Sequence, residues 1–176
     1  MTPRSAPVEV ILGDITTLDV QVIVNAANAE LLAGGGVCGT IFAAAGHADL
    51  EASCRDIGGC PTGSAVATPS HRLAERGIDH IIHAVGPIWD ERQPEKCDRL
   101  LASAYRTSLQ VAEQLGVRSI AFPSISTGIY RFPRRRAAAI AVRETTGHEG
   151  GLDRIVLSAF DAKSYDILSA ALASVR

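Results

Sequence analysis

The stretch that decides the fold runs Val24-Asn25-Ala26-Ala27-Asn28, then Leu31-Leu32-Ala33-Gly34-Gly35-Gly36-Val37-Cys38-Gly39. A short apolar run ends on two asparagines, and three consecutive glycines then feed a segment, 39–45, that reads as a helix. Glycines carry no Cβ, so their backbone can come close to a ligand. Their N–H groups can converge on an anion, and a helix N-terminus adds positive potential at the same point. The alternative is a merely flexible glycine loop; asparagines at a strand end favour a site.

Working outward, short apolar runs that suit buried strands lie at 8–12, 20–24, 64–67, 80–85, 119–122 and 154–160. A helical pair, 39–45 and 48–57, falls between the second and third of them. Leu101, Ala104, Ser108, Val111 and Leu115 recur at helical spacing before the stop at Gly116. Pro133 opens a further helix through Ala137, Ile140 and Ala141. Tyr165, Leu168, Ala171, Leu172 and Val175 stripe a last one. Strands alternating with helices predict an α/β protein, a three-layer α/β/α sandwich around a mixed, largely parallel six-stranded sheet. No repeat, low-complexity segment or linker divides the chain, so residues 1–176 read as one domain.

Ligands of such sheets bind beyond the carboxyl ends of the strands, and two more loops there are unusual. Phe122-Pro123-Ser124-Ile125-Ser126-Thr127-Gly128-Ile129-Tyr130-Arg131-Phe132-Pro133 sets small hydroxyl residues and a glycine between a strand and a helix start. That composition suits a phosphate-gripping loop or a decorated turn. It lacks the Gly-Lys-Ser/Thr ending of a P-loop, which argues against triphosphate hydrolysis. Gly13-Asp14-Ile15-Thr16-Thr17 follows the first strand, and Asp14 fits two roles: a helix N-cap, or a carboxylate accepting an adenine amine.

Composition narrows the remaining classes. The 176 residues are 47% hydrophobic and 20% charged, the profile of a globular domain, and the net charge of −2 gives no general pull toward nucleic acid or anionic membrane. Basic charge is nearly all arginine, clustered at Arg131, Arg134, Arg135 and Arg136. No run approaches the ~20 apolar residues of a membrane span, and no signal-like segment follows Met1, so a cytoplasmic location is expected. Cys38, Cys54, Cys60 and Cys97 lack zinc-site spacing and read as reduced thiols; nothing in the sequence calls for a metal or cofactor.

Taken in order, Gly13-Asp14-Ile15-Thr16, Asn25-Ala26-Ala27-Asn28 with the glycine run, His83-Ala84-Val85-Gly86-Pro87, and Pro123 to Tyr130 resemble the macrodomain family, closest to its MacroD-like class. Members of that class bind ADP-ribose and remove it from modified carboxylates. The resemblance implies an ADP-ribosyl hydrolase, a monomer, whose partners are ADP-ribose and ADP-ribosylated protein. Asp14 and the Ile15 backbone would read the adenine, and Phe160 would stack on it. Gly35, Gly36 and Val37 would hold the pyrophosphate from one side, and Ser126, Thr127, Gly128 and Ile129 from the other. Tyr130 and Asn28 would border the distal ribose, and Asn25 would also bind ADP-ribose. An aromatic ending a strand is commonly core, so Phe160 carries both readings.

Two positions depart from the class. Where its pattern has Val-Asp-Gly and, one turn later, a histidine, this chain has Cys38 and Phe42. A thiol with an ordinary pKa of ~8.5 is mostly neutral at pH 7 and replaces a carboxylate base poorly. Cys38 is then either a reactive thiol at a helix start or a small residue closing the loop. Without the carboxylate, Asn28 would hold the ribose while the ligand's own phosphate takes the proton of the attacking water. A non-catalytic ADP-ribose reader is the alternative, and ADP-ribosylated DNA is a further substrate class that only the arginine cluster supports.

Overall fold

In a computed structural model of the chain, residues 4–176 are described; Met1–Pro3, where the reading of no signal segment begins, lie outside them. The strands are β1 (Arg4–Ser5), β2 (Val8–Leu12), β3 (Val22–Ala27), β4 (Ala65–Pro69), β5 (His80–Val85), β6 (Ser119–Phe122), β7 (Glu149–Gly150) and β8 (Arg154–Ala159). The helices are α1 (Gly36–Ala45), α2 (His47–Ile57), α3 (Pro94–Leu115), α4 (Arg134–Thr146) and α5 (Ala162–Ala173). Six strands form one sheet in the order β2-β8-β6-β3-β5-β4, and β1 with β7 makes a separate antiparallel ribbon. All neighbours in the large sheet are parallel except β4, which runs antiparallel to β5. The predicted mixed, largely parallel sheet is therefore present.

Alternate side chains of each central strand enter two separate cores. Val22, Val24, Ile82, Ala84, Ile120, Phe122, Ile155 and Leu157 pack with Leu101, Tyr105, Leu109, Ile140 and Leu168 from α3, α4 and α5. Ile23, Ile81, Val85, Ala121 and Val156 face the other way, onto Ile41, Phe42, Leu50 and Cys54 of α1 and α2. Helices on both faces make most central positions apolar, which is why the strands read as runs rather than alternations. Phe42, one of the two departures, is 1% exposed within the second core. Its substitution takes that position out of any polar site.

Two strand bounds shift in a way that matters. The second strand, expected at 20–24, runs from Val22 to Ala27, because Asn25, Ala26 and Ala27 stay in register with His83, Ala84 and Val85. The third, expected at 64–67, runs to Pro69. A buried asparagine inside a ladder is unusual, and its partners explain it below. Among the described residues no helix is long and apolar enough to cross a membrane.

Candidate functional site

The carboxyl ends of β2, β8, β6, β3 and β5 lie along one edge of the sheet, and the three unusual loops all leave from it. At one end, Leu12 is paired with Ala159 and Gly13 N–H donates to the Ala159 carbonyl at 2.9 Å. This sets Asp14 beside Phe160. The Asp14 carboxylate accepts from Thr16 N–H at 2.9 Å and from Thr16 Oγ1 at 2.7 Å, both through Oδ1, capping a short 3-10 turn over Ile15–Thr17. Capping leaves Oδ2 for a ligand, so the two roles foreseen for Asp14 are compatible. Ile15 is buried, and only its backbone can serve a ligand. Phe160 is 88% exposed and so is not a core residue.

In the middle of the edge, Asn28 organises the glycine loop. Its Nδ2 donates to the Leu32 carbonyl and its Oδ1 accepts from Leu32 N–H, each at 2.9 Å, closing the turn 28–32 with both amide groups. Leu31, at φ 58°, plugs that turn into the core. Gly39 fixes the far side of the loop. A Cβ there would lie 2.8 Å from the Gly34 carbonyl oxygen, so only glycine lets the loop lie on α1. Gly36 begins the helix at φ 59°, a conformation that favours glycine. Gly35 is the N-cap and supplies no side chain, so α1 starts without a side-chain cap and the first-turn N–H groups of Gly36, Val37 and Cys38 have no intrahelical partner.

Opposite stands the loop after β6. Arg131 N–H donates to the Gly128 carbonyl at 3.0 Å, and Phe132 N–H to the Ser126 carbonyl at 2.9 Å, making a tight turn. Thr127 Oγ1 donates to the Ser124 carbonyl at 3.0 Å. Ser126 lies at φ 67°, its hydroxyl buried without a partner and turned against Gly86, where any Cβ would overlap it. What Ser126 offers a ligand is therefore backbone. Gly128 and Ile129 are exposed. Tyr130 is half-buried, and its phenol is pushed up by burial and by the nearby Glu30 carboxylate and Cys38 thiol. Tyr130 therefore lies near Glu30 and Cys38 of the glycine-loop segment. Glu30 escaped the sequence reading, although it lies between Asn28 and Leu31 in the loop already singled out.

Beneath the glycine loop runs a buried polar chain. Asn25, 1% exposed, donates through Nδ2 to His83 Nδ1 at 3.1 Å, with Cys38 Sγ 3.7 Å away. His83 Nε2 lies 2.9 Å from Thr68 Oγ1. That pattern assigns the neutral His83 tautomer with its proton on Nε2, consistent with burial lowering its pKa to about 4. Asn25 Oδ1 has no partner. Asn25 is expected from sequence to bind ADP-ribose; its side chain instead lies buried among His83 and Cys38, below the loop. Cys38 is buried, its Sγ 3.9 Å from the Leu32 carbonyl. A sulfur so enclosed closes the loop. Burial and the neighbouring Cys38 push the Cys54 thiol up to about 11, so Cys54 stays protonated at neutral pH.

The family model described as Macro domain matches residues 24–141. A Macro domain-containing protein of Chlorobaculum tepidum is 46% identical over 98% of this chain and 99% of its own length. The O-acetyl-ADP-ribose deacetylase of Klebsiella pneumoniae is 47% identical over 94% of this chain and 96% of its own. Among solved structures, a variant of the Oceanobacillus iheyensis macrodomain with ADPR superposes with a TM-score of 0.89 at 36% identity, covering 97% of this chain and 94% of that one. The sheet order and the two facing loops define an α/β protein of macrodomain fold. The chain belongs to the Macro domain family.

Proposed function

We propose that the cleft binds ADP-ribose and that the protein hydrolyses the ADP-ribosyl linkage at C1″ of mono-ADP-ribosylated protein, with carboxylate-linked ADP-ribose as its substrate. The observation that carries this reading is the pairing of an uncapped α1 start with the 126–130 turn across one cleft, with exposed Phe160 at its end. A pyrophosphate between two sets of backbone donors, an adenine on Phe160 and Asp14, and a ribose near Tyr130 and Asn28 use every one of these features. The Klebsiella pneumoniae relative is named for an ester of ADP-ribose, which supports the same class of linkage.

The chemistry follows from what surrounds the distal ribose. Each amide group of Asn28 keeps one hydrogen-bonding capacity beyond its bonds to Leu32. It can hold a ribose hydroxyl while it keeps the loop closed. A water held against C1″ forms the new C1″–O bond. The old bond from C1″ to the acyl oxygen breaks, its electron pair leaving with the released carboxylate. The proton of the water passes to a pyrophosphate oxygen of the ligand. Positioning supplies a large part of such an acceleration without a strong base. The enclosed Cys38 sulfur favours a second reading, a reader of ADP-ribose without turnover. Calorimetry with ADP-ribose and AMP tests the site itself: micromolar or tighter ADP-ribose with weak AMP supports it. Equal affinities would remove the distal half of the cleft from the account.

A further inference from the structure

Exposed large apolar side chains at the sheet edge fall into two groups. Leu12 ends β2 and Phe160 follows β8, both at the proposed adenine end. Leu32 (58% exposed), Ile88 (67%) and Ile129 (90%) follow β3, β5 and β6, three strands adjacent in the sheet. The second group surrounds the distal end, where ADP-ribose itself offers only hydroxyl groups. Nothing in that ligand accounts for an aliphatic rim there.

The rim is preorganised. Trp89 N–H donates to the Tyr130 carbonyl at 2.9 Å, joining the peptide between Ile88 and Trp89 to the one between Tyr130 and Arg131. Ile88 and Arg131 therefore flank a single hydrogen bond. Trp89 also packs against Phe132 with the rings tilted and their centroids 4.8 Å apart, and the Arg136 guanidinium lies over its ring. Arg131 stands at φ 60°, a backbone conformation that disfavours any L side chain. It is exposed and makes no ion pair among the described residues. A long cation held in a conformation suited to glycine, with no internal partner, points to a role outside the fold.

We propose that Ile88, Ile129 and Arg131 form the docking rim for the acceptor, a polypeptide segment that seats an apolar side chain on the isoleucines and offers Arg131 a carboxylate beside the modified residue. This rests on the hydrolase reading above. Of the rest of the arginine run, Arg136 is engaged, held by Asp98 at 2.7 Å, while Arg134 and Arg135 stand on α4 rather than beside Ile88 and Ile129. An aliphatic rim beside a single arginine offers an apolar contact and one point of charge. That fits a partly apolar peptide carrying a carboxylate better than a polyphosphate backbone, which is held by several cations and by aromatic stacking.

Arg131→Gly and Ile88→Ser are compared with wild type on three probes. These are a glutamate-linked mono-ADP-ribosyl peptide rich in Asp and Leu, free O-acetyl-ADP-ribose, and DNA ADP-ribosylated at its end. Arg131→Gly relaxes the backbone, which protects folding. Each variant should lower kcat/KM on the peptide by about tenfold, the scale of one interface contact. Turnover of O-acetyl-ADP-ribose and affinity for ADP-ribose should stay within about twofold, and added salt should erase the Arg131 effect. Equal losses on peptide and O-acetyl-ADP-ribose, no loss on peptide, or a loss confined to the DNA would each overturn the proposal. If wild type turns over none of the probes, the hydrolase reading fails by itself. Binding then decides the rim: the peptide conjugate should bind more tightly than free ADP-ribose, and Arg131→Gly should abolish the difference.

Discussion

Gly36 gives the sharpest separation between a structural and a ligand-holding role. It lies at φ 59° at the start of α1, and a Cβ built there meets nothing within 4 Å. Gly36→Ala therefore pays only the left-handed backbone penalty, roughly 1–2 kcal/mol. For a domain of this size that lowers Tm by about 2–8 °C. Gly36→Glu carries the same penalty and adds a carboxylate at the uncapped helix start. At ~5 Å from one phosphate charge and an effective dielectric of ~20, the repulsion is about 3 kcal/mol, or 100- to 200-fold in Kd. Both variants should melt together, within ~2 °C, because the backbone term is shared. In calorimetry Gly36→Ala should keep most of its ADP-ribose affinity, while Gly36→Glu should lose at least ~100-fold. A folded Gly36→Glu variant that binds as Gly36→Ala does would refute the assignment of the pyrophosphate to this loop.

Asp14→Ala removes both the cap and the proposed adenine contact and should weaken ADP-ribose binding by ~1–3 kcal/mol. Unchanged affinity would leave Asp14 with its cap alone. His83 has a folded pKa of about 4 against an ordinary value of 6.5, so the unfolded chain takes up a proton first as the pH falls. Stability present above pH 6.5 should drop by about 3 kcal/mol on going down to pH 4, and His83→Gln should flatten that part of a denaturant-unfolding series. Cys38→Ala should retain most of the hydrolytic rate, whereas Asn28→Ala should lose at least ~10²-fold, the scale of a lost positioning contact. A dead Cys38→Ala variant with normal ADP-ribose affinity would make a reactive thiolate the better mechanism, to be checked by pH-dependent alkylation. Cys38→Asp restores a carboxylate beside the distal ribose and should alter the rate only modestly if the wild type already hydrolyses.

Strand runs, the glycine stop at Gly116 and the proline before α4 were legible because each is a local backbone preference. The convergence of three loops followed from topology once the strands were parallel. What stayed hidden depended on partners distant in sequence. Asn25 looks like a loop residue until His83, 58 positions away, provides the acceptor that keeps it in β3. The core place of Phe42 comes from the packing of α1 on the sheet, which the pattern of α1, apolar nearly all round, leaves ambiguous. Arg131 stands out in sequence as part of the arginine cluster but Ile88 does not, and only the Trp89–Tyr130 hydrogen bond makes them neighbours. Phe160 shows the reverse case, since strand composition favoured burial and the sheet edge exposes it.

The central claim is that this cleft holds ADP-ribose and releases it from a carboxylate-linked protein. The most direct measurement incubates the wild-type chain with glutamate-linked mono-ADP-ribosylated protein and follows free ADP-ribose. The account predicts release that Gly36→Glu abolishes and excess free ADP-ribose inhibits. A wild-type chain that binds ADP-ribose tightly yet releases none would contradict it, and would leave the protein a reader.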